Sequence, residues 1–271
     1  MKLSRWDGHV HSGLCPHGGT DTTQQRVERA LALGLERITL AEHAPLPPGV
    51  LPPAEAAALA PDPDTFARYL DEAQDLKHRY RGRIDVRVGA EVDFVPHRVD
   101  ATRELLRRHA PALDEWILSV HLVPGLGGLR EVDGDADVVQ AELVAAHGGF
   151  AALAAAYLAL VWAAVATDWG PLPPARLGHL TRVRRYAPET APPQGLVDEV
   201  LRVVRARGLG LDVNTSGLDR PEGELEPPAE VAVRARELGI PLVLGSDAHQ
   251  AAAVGRHFAA TAALLGDCDA R

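Results

Sequence analysis

Two histidines stand two residues apart in the segment Arg5–Trp6–Asp7–Gly8–His9–Val10–His11. On an extended strand both imidazoles project from the same face. His17 follows in the turn-forming stretch Cys15–Pro16–His17–Gly18–Gly19, which places a third imidazole beside a strand end. Histidine nitrogen is the commonest nitrogen ligand for zinc-like ions, and one pair alone does not complete a four-coordinate shell. The plain alternative is a hydrogen-bonded or solvated pair, and the rest of the chain decides between them.

Further polar residues recur in one kind of place. His43, Glu91, His121, His179, Asp247 and His249 each stand at or just beyond the carboxyl end of a short apolar segment. The strands these segments predict cover Arg37–Glu42, Asp85–Phe94, Trp116–Val120, Ala175–Leu177, Gly210–Val213 and Pro241–Leu244, after the first at Arg5–His11. Helical spacing predicts Gln24–Leu33 (capped by Thr23 and stopped by Gly34), Thr65–Tyr80, Arg98–Arg108, Leu196–Arg207 and Ala229–Leu238. Ala136–Thr167 reads as alanine-rich helices, Gly125–Gly128 as a flexible loop, and 44–64 as a proline-rich lid with a short helix near Ala54–Leu59. Strands alternating with helices imply a parallel sheet, and seven such units imply a closed or nearly closed α/β barrel. An open doubly wound sheet is the rival, but no glycine-rich dinucleotide fingerprint supports it.

In an α/β barrel the carboxyl ends of the strands converge on one face, where loops build the active site. Seven histidines and two carboxylates meeting there exceed the capacity of one four-coordinate ion, so two or three divalent ions are expected. Glu91 inside an apolar strand supports this, because a buried carboxylate is costly unless it is paired or bound to a cation. Glu42 reads as a residue that orients an imidazole, and Cys15 as a small packed thiol. His78, His97, His109, His147 and His257 lie away from strand ends and read as surface or structural residues.

Composition sets the remaining bounds. The 271 residues, 46% of them hydrophobic, suit one domain spanning residues 1–271. A net charge of −9 without a basic run argues against a nucleic-acid partner. It leaves room for a small anionic substrate, because bound divalent ions reverse the local sign. Two cysteines, Cys15 and Cys268, make no disulfide framework, and no signal-peptide pattern opens the chain, so a cytoplasmic location is expected. Phe150–Ala166 carries no charge but falls just short of a membrane span, and reads as a buried or partner-facing helix. Oligomeric state leaves no signature.

Several segments appear in a familiar order: His9-x-His11, Cys15–Pro16–His17–Gly18, Glu42–His43–Ala44–Pro45–Leu46–Pro47, Gly89–Ala90–Glu91–Val92–Asp93, Ser119–Val120–His121, Gly178–His179–Leu180, Asn214–Thr215–Ser216–Gly217 and Gly245–Ser246–Asp247–Ala248–His249. The chain resembles the polymerase and histidinol phosphatase (PHP) superfamily, specifically its histidinol-phosphate phosphatase branch. The resemblance implies a distorted seven-stranded (β/α)7 barrel with a trinuclear centre. It implies one ion on His9, His11, Glu91 and Asp247, a second on Glu91, His121 and His179, and a third on His17, His43 and His249. Thr181 stands where many members carry an aspartate, and Gly125–Pro174 matches the family poorly.

The expected reaction is hydrolysis of L-histidinol phosphate by a metal-bridging hydroxide near Glu91. Asp247 or His249 would pass a proton to the leaving oxygen. Zinc, manganese or iron all suit nitrogen and carboxylate ligands. Arg182 and Arg220 are the arginines best placed to fork onto a phosphate. A phosphoesterase acting on nucleotides or other phosphomonoesters is the nearest rival. Amidohydrolases that bridge metals with a carboxylated lysine are disfavoured, since the only lysines are Lys2 before the first strand and Lys77 on a helix. A non-catalytic module would be expected to have lost some of the nine ligands.

Overall fold

The computed structural model describes residues 2–188 and 190–266; Cys268 lies outside them. Seven parallel strands form one sheet: β1 (Trp6–Val10), β2 (Arg37–His43), β3 (Asp85–Asp93), β4 (Ile117–Ser119), β7 (Arg176–Leu177), β8 (Gly210–Asn214) and β9 (Leu242–Gly245), paired in that order. A parallel bridge between Val10 and Ala248 brings the last strand back beside the first. There the Asp247 N–H donates to the His9 carbonyl at 2.8 Å and the His11 N–H to the Ala248 carbonyl at 3.0 Å. The result is the nearly closed α/β barrel expected from the alternation. The strands are buried on both faces, as parallel strands covered by helices must be.

The helices are α1 (Thr23–Ala32), α2 (Pro53–Leu59), α3 (Pro63–Arg79), α4 (Val99–His109), α5 (Ala136–Val139), α6 (Ala145–His147), α7 (Phe150–Ala166), α8 (Gln194–Ala206), α9 (Ala229–Glu237) and α10 (Phe258–Leu265). Helix α3 buries Phe66, Tyr69, Leu70, Ala73 and Leu76, a stripe at three- and four-residue spacing. Its first turn is capped by Asp62, which accepts from the Asp64 and Thr65 N–H groups. The cap of α1 is Thr22 rather than Thr23. Thr22 makes a reciprocal capping box with Gln25, while the Thr23 hydroxyl accepts from the Gly13 N–H at 3.0 Å and ties down the histidine loop.

Of two segments, the glycine stretch differs from the sequence reading, and the alanine-rich one divides into the expected helices. The glycine stretch at 125–128 is the tip of an antiparallel hairpin, β5 (Leu122–Gly125) with β6 (Gly128–Glu131). Its strands are four residues each, and only Leu122 and Val123 are buried, too short an alternation to announce a hairpin. The alanine-rich region is broken by Gly148 and Gly149, both at positive φ, so that 136–147 and α7 meet at 83°. Helix α7 buries Leu153, Tyr157, Leu158, Val161 and Val165 inside the fold. No single helix among the described residues is long and apolar enough to cross a membrane.

Candidate metal centre

The strand ends deliver the expected side chains to one point, and Glu91 is its centre. Glu91 lies near the carboxyl end of β3, paired with β2 and β4 on either side. Its Oε2 lies 3.2 Å from His9 Nε2, 3.5 Å from His11 Nε2 and 3.3 Å from His43 Nδ1. Its Oε1 lies 2.9 Å from His179 Nε2 and 3.6 Å from His121 Nε2, and accepts from the Ser119 hydroxyl at 2.7 Å. Asp247 Oδ1 is 3.1 Å from His11 Nε2 and 3.9 Å from His9 Nε2, and Asn214 donates to its other oxygen at 2.9 Å. His249 Nδ1 is 3.8 Å from Asp247 Oδ1. On the outer wall His17 is exposed, with Nε2 3.2 Å from His43 Nε2.

Three of these rings are aimed by a carboxylate on their far nitrogen. Asp212 faces His9 Nδ1 at 3.1 Å, Glu42 faces His11 Nδ1 at 3.4 Å, and Asp93 faces His121 Nδ1 at 3.1 Å. An Nδ1–H held this way leaves Nε2 as the free lone pair, turned inward. Glu42 is itself fixed by the Ser12 N–H, the Ser12 hydroxyl and the His43 N–H. Sequence reasoning assigned that role to Glu42 alone. Asp93 and Asp212 were missed. Asp93 and Asp212 sit inside apolar strands, so the cost of burial that singled out Glu91 would have found them too.

Backbone constraints complete the aim. His179 and Asp247 both adopt the left-handed region, at φ 47° and 51°, which costs a non-glycine residue about 1–3 kcal/mol. Tyr157 on α7 donates its hydroxyl to the His179 carbonyl. The buried Arg26 guanidinium gathers the carbonyls of His11, Ser12 and His249 at 2.7, 2.6 and 2.7 Å. At Gly245 a Cβ would meet His9 Cβ and Asp212 Oδ1 at 2.7 Å each, so β9 approaches β1 closely only because that side chain is missing.

The donor set fits divalent cations. His9 Nε2, His43 Nδ1, Glu91 Oε2 and His249 Nε2 are fully buried and have no hydrogen-bond partner. Donor pairs 2.9–3.6 Å apart match the edges of a coordination shell with bonds of about 2.0–2.2 Å. Burial disfavours ionisation here, yet His9, His121, His179 and His43 hold the Glu91 carboxyl well below its usual range. Burial likewise opposes the His9 imidazolium, but Glu91 and Asp212 push it up to about 10. His121 rises to about 10 through Asp93 and Glu91 against the same burial. Negative charge that holds protons this tightly is charge that cations displace protons to reach.

Beside the centre opens a cleft of about 520 Å³, lined by His17, His43, His121, Asp247 and His249 on one side. Arg182, Arg185, Arg220 and Arg256 face it, with Glu131, Asp133 and Asp219. Arg182 is buried and locked: its Nε and Nη2 donate side by side to the two oxygens of Asp133, and Nη1 donates to Glu226 at 2.7 Å and approaches His179 Nδ1 at 3.3 Å. Arg220 is half-buried and looser, 3.7 Å from Glu226. The lid contributes only Ala58 and Leu59 to this lining, and the Ala58 carbonyl lies 3.1 Å from His17 Nδ1. Of the five histidines read as structural, His147 rests on the Leu143 carbonyl and His257 on Asp219.

A PHP domain model matches residues 7–216, and a PHP-associated model matches 230–263. The chain belongs to the PHP family. It is 36% identical to the histidinol-phosphatase of Bacillus subtilis, over 93% of this chain and 96% of that one. A candidate histidinol phosphatase from Listeria monocytogenes has the same fold at 30% identity and a TM-score of 0.88, covering 94% of this PHP chain and 99% of the other. A histidinol phosphate phosphatase from Lactococcus lactis, solved with zinc, L-histidinol and phosphate, shares the fold at 21% identity and a TM-score of 0.74 over 98% and 95% of the two chains.

Proposed function

We propose that this PHP protein is a metal-dependent phosphomonoesterase that hydrolyses L-histidinol phosphate to L-histidinol and phosphate. The observation that carries the reading is the convergence of five imidazoles on Glu91, with Asp247 and His249 beside them, at the edge of a cleft that holds both arginines and acids. The substrate follows from the full-length relationship to a histidinol-phosphatase.

In this reading His9, His11, Glu91 and Asp247 hold one ion, Glu91, His121 and His179 a second, and His17, His43 and His249 a third. Such ions, when bound, bring a water toward ionisation at neutral pH and neutralise charge on the phosphoryl oxygens. The protein supplies the rest. Glu91 keeps the first two positions adjacent because its two oxygens face different histidines. Arg220 forks onto the phosphate, and Arg182, committed to Asp133 and Glu226, holds that side of the cleft in place. Asp247 and His249 line the cleft, and either would relay to the leaving alkoxide the proton given up by the attacking water. Glu131, whose carboxyl is pushed up by burial and by Asp133, faces the same cleft and suits the cationic end of an amino alcohol.

Residues 1–271 act as one domain in this reading. β9, Asp247 and His249 belong to the PHP-associated match yet close the barrel begun by the PHP match. Its place of work is the cytoplasm. The test is a comparison of kcat/KM for histidinol phosphate with generic phosphomonoesters and nucleotides. A large preference for histidinol phosphate is expected. Parity rejects the substrate and leaves the phosphatase, and inactivity on every phosphomonoester rejects both.

A further inference from the structure

Cys15 sits on the loop between His11 and His17 and is buried. Its sulfur and ring nitrogens of His11, His43 and His249 all lie within 4.8 Å of one another. His43 is itself buried, with its Nε2 turned toward His17 at 3.2 Å, and the His249 Nε2 is buried without a hydrogen-bond partner. The loop is closed around the thiol. The Cys15 N–H donates to the Ser12 carbonyl at 3.3 Å, the Gly18 N–H to the Cys15 carbonyl at 3.0 Å, and the Gly19 N–H to the His249 carbonyl at 2.8 Å. One turn therefore carries Cys15 and His17 and binds them to the strand end that carries His249. A Cβ at Gly18 would come within 3.2 Å of the Cys15 Cβ, so the turn packs closely against the Cys15 side chain.

We propose that the Cys15 thiolate is a ligand of the third ion, the one held by His43 and His249, and makes that position a mixed nitrogen–sulfur site. The proposal rests on the metal-centre reading above and sharpens it. Nitrogen and carboxylate donors suit zinc, manganese and iron alike, whereas a soft thiolate favours zinc or ferrous iron over manganese. The third position then differs in kind from the two that share Glu91.

X-ray absorption of the zinc-loaded wild-type protein tests this without any variant. A sulfur shell at about 2.3 Å, in the proportion of one sulfur to all the bound zinc, is expected. In the cobalt-substituted protein a thiolate-to-cobalt charge-transfer band is expected in the near ultraviolet. Cys15→Ser should abolish both signals and lower the number of bound ions by one. Three bound ions with only nitrogen and oxygen neighbours, and a cobalt spectrum unchanged in Cys15→Ser, overturn the proposal while the phosphatase reading stands. A protein that binds no ions overturns both. If Cys15→Ser does not fold, the wild-type absorption spectrum decides alone.

Discussion

Replacing Glu91 by glutamine keeps the shape of the side chain and removes what the centre depends on. The two carboxylate oxygens divide five histidines between them, three within 3.5 Å of Oε2 and two within 3.6 Å of Oε1. An amide turns one of those oxygens into an N–H donor, which faces imidazole lone pairs and ligates nothing. It also withdraws one negative charge from a buried cluster. Removing one preorganised group that stabilises charge in the reacting complex costs about 2.7–4 kcal/mol, and each 1.36 kcal/mol is tenfold in rate. Glu91→Gln should therefore lower kcat/KM by about 10²–10³, with fewer bound ions and an intact fold by circular dichroism. The assay pairs steady-state hydrolysis of histidinol phosphate with metal analysis of the same sample. A variant with its full complement of ions and nearly wild-type turnover would refute the reasoning.

Three further outcomes follow from the same geometry. Asp212→Asn and Asp93→Asn lose the carboxylates behind His9 and His121, so metal dissociation constants measured by competitive chelation should rise about 10–100-fold. Arg220→Ala should raise KM for phosphomonoesters more than it lowers kcat, since a group that binds the phosphate before and during reaction contributes uniform binding; an unchanged KM contradicts its role. Glu226 is opposed by its burial, but Arg182 and then His179 pull its carboxyl down to about 2 from 4.5. A depressed carboxylate stabilises the fold fully above pH 4.5 and loses that contribution as pH falls toward 2. Thermal melts of metal-free protein should show a gentler acid decline in this window for Glu226→Gln than for wild type.

The centre was legible because each donor follows an apolar segment, and a parallel barrel brings strand ends to one face whatever their distance in the chain. His9 and Asp247 are far apart in sequence, yet the Asp247 N–H rests on the His9 carbonyl. The positioning carboxylates were less visible. Asp212 lies in Gly210–Asn214 with nothing local to mark it, and only the cost of burying an ionised group distinguishes it from a surface residue. The cleft wall was the least visible part. Glu131 ends a short hairpin whose glycine-rich tip reads as plain loop, Asp133 follows two residues after it, and the lid between 44 and 64 suggested itself instead. Arg26 escaped notice because its work is done on carbonyls of other segments, and backbone partners leave no pattern in side-chain types.

Metal content measured against activity bears most directly on the central claim. Purified protein should hold two to three ions of zinc, manganese or iron per chain, lose its phosphatase activity as a chelator removes them, and regain it on their return. Full turnover in protein stripped of metal would contradict the account.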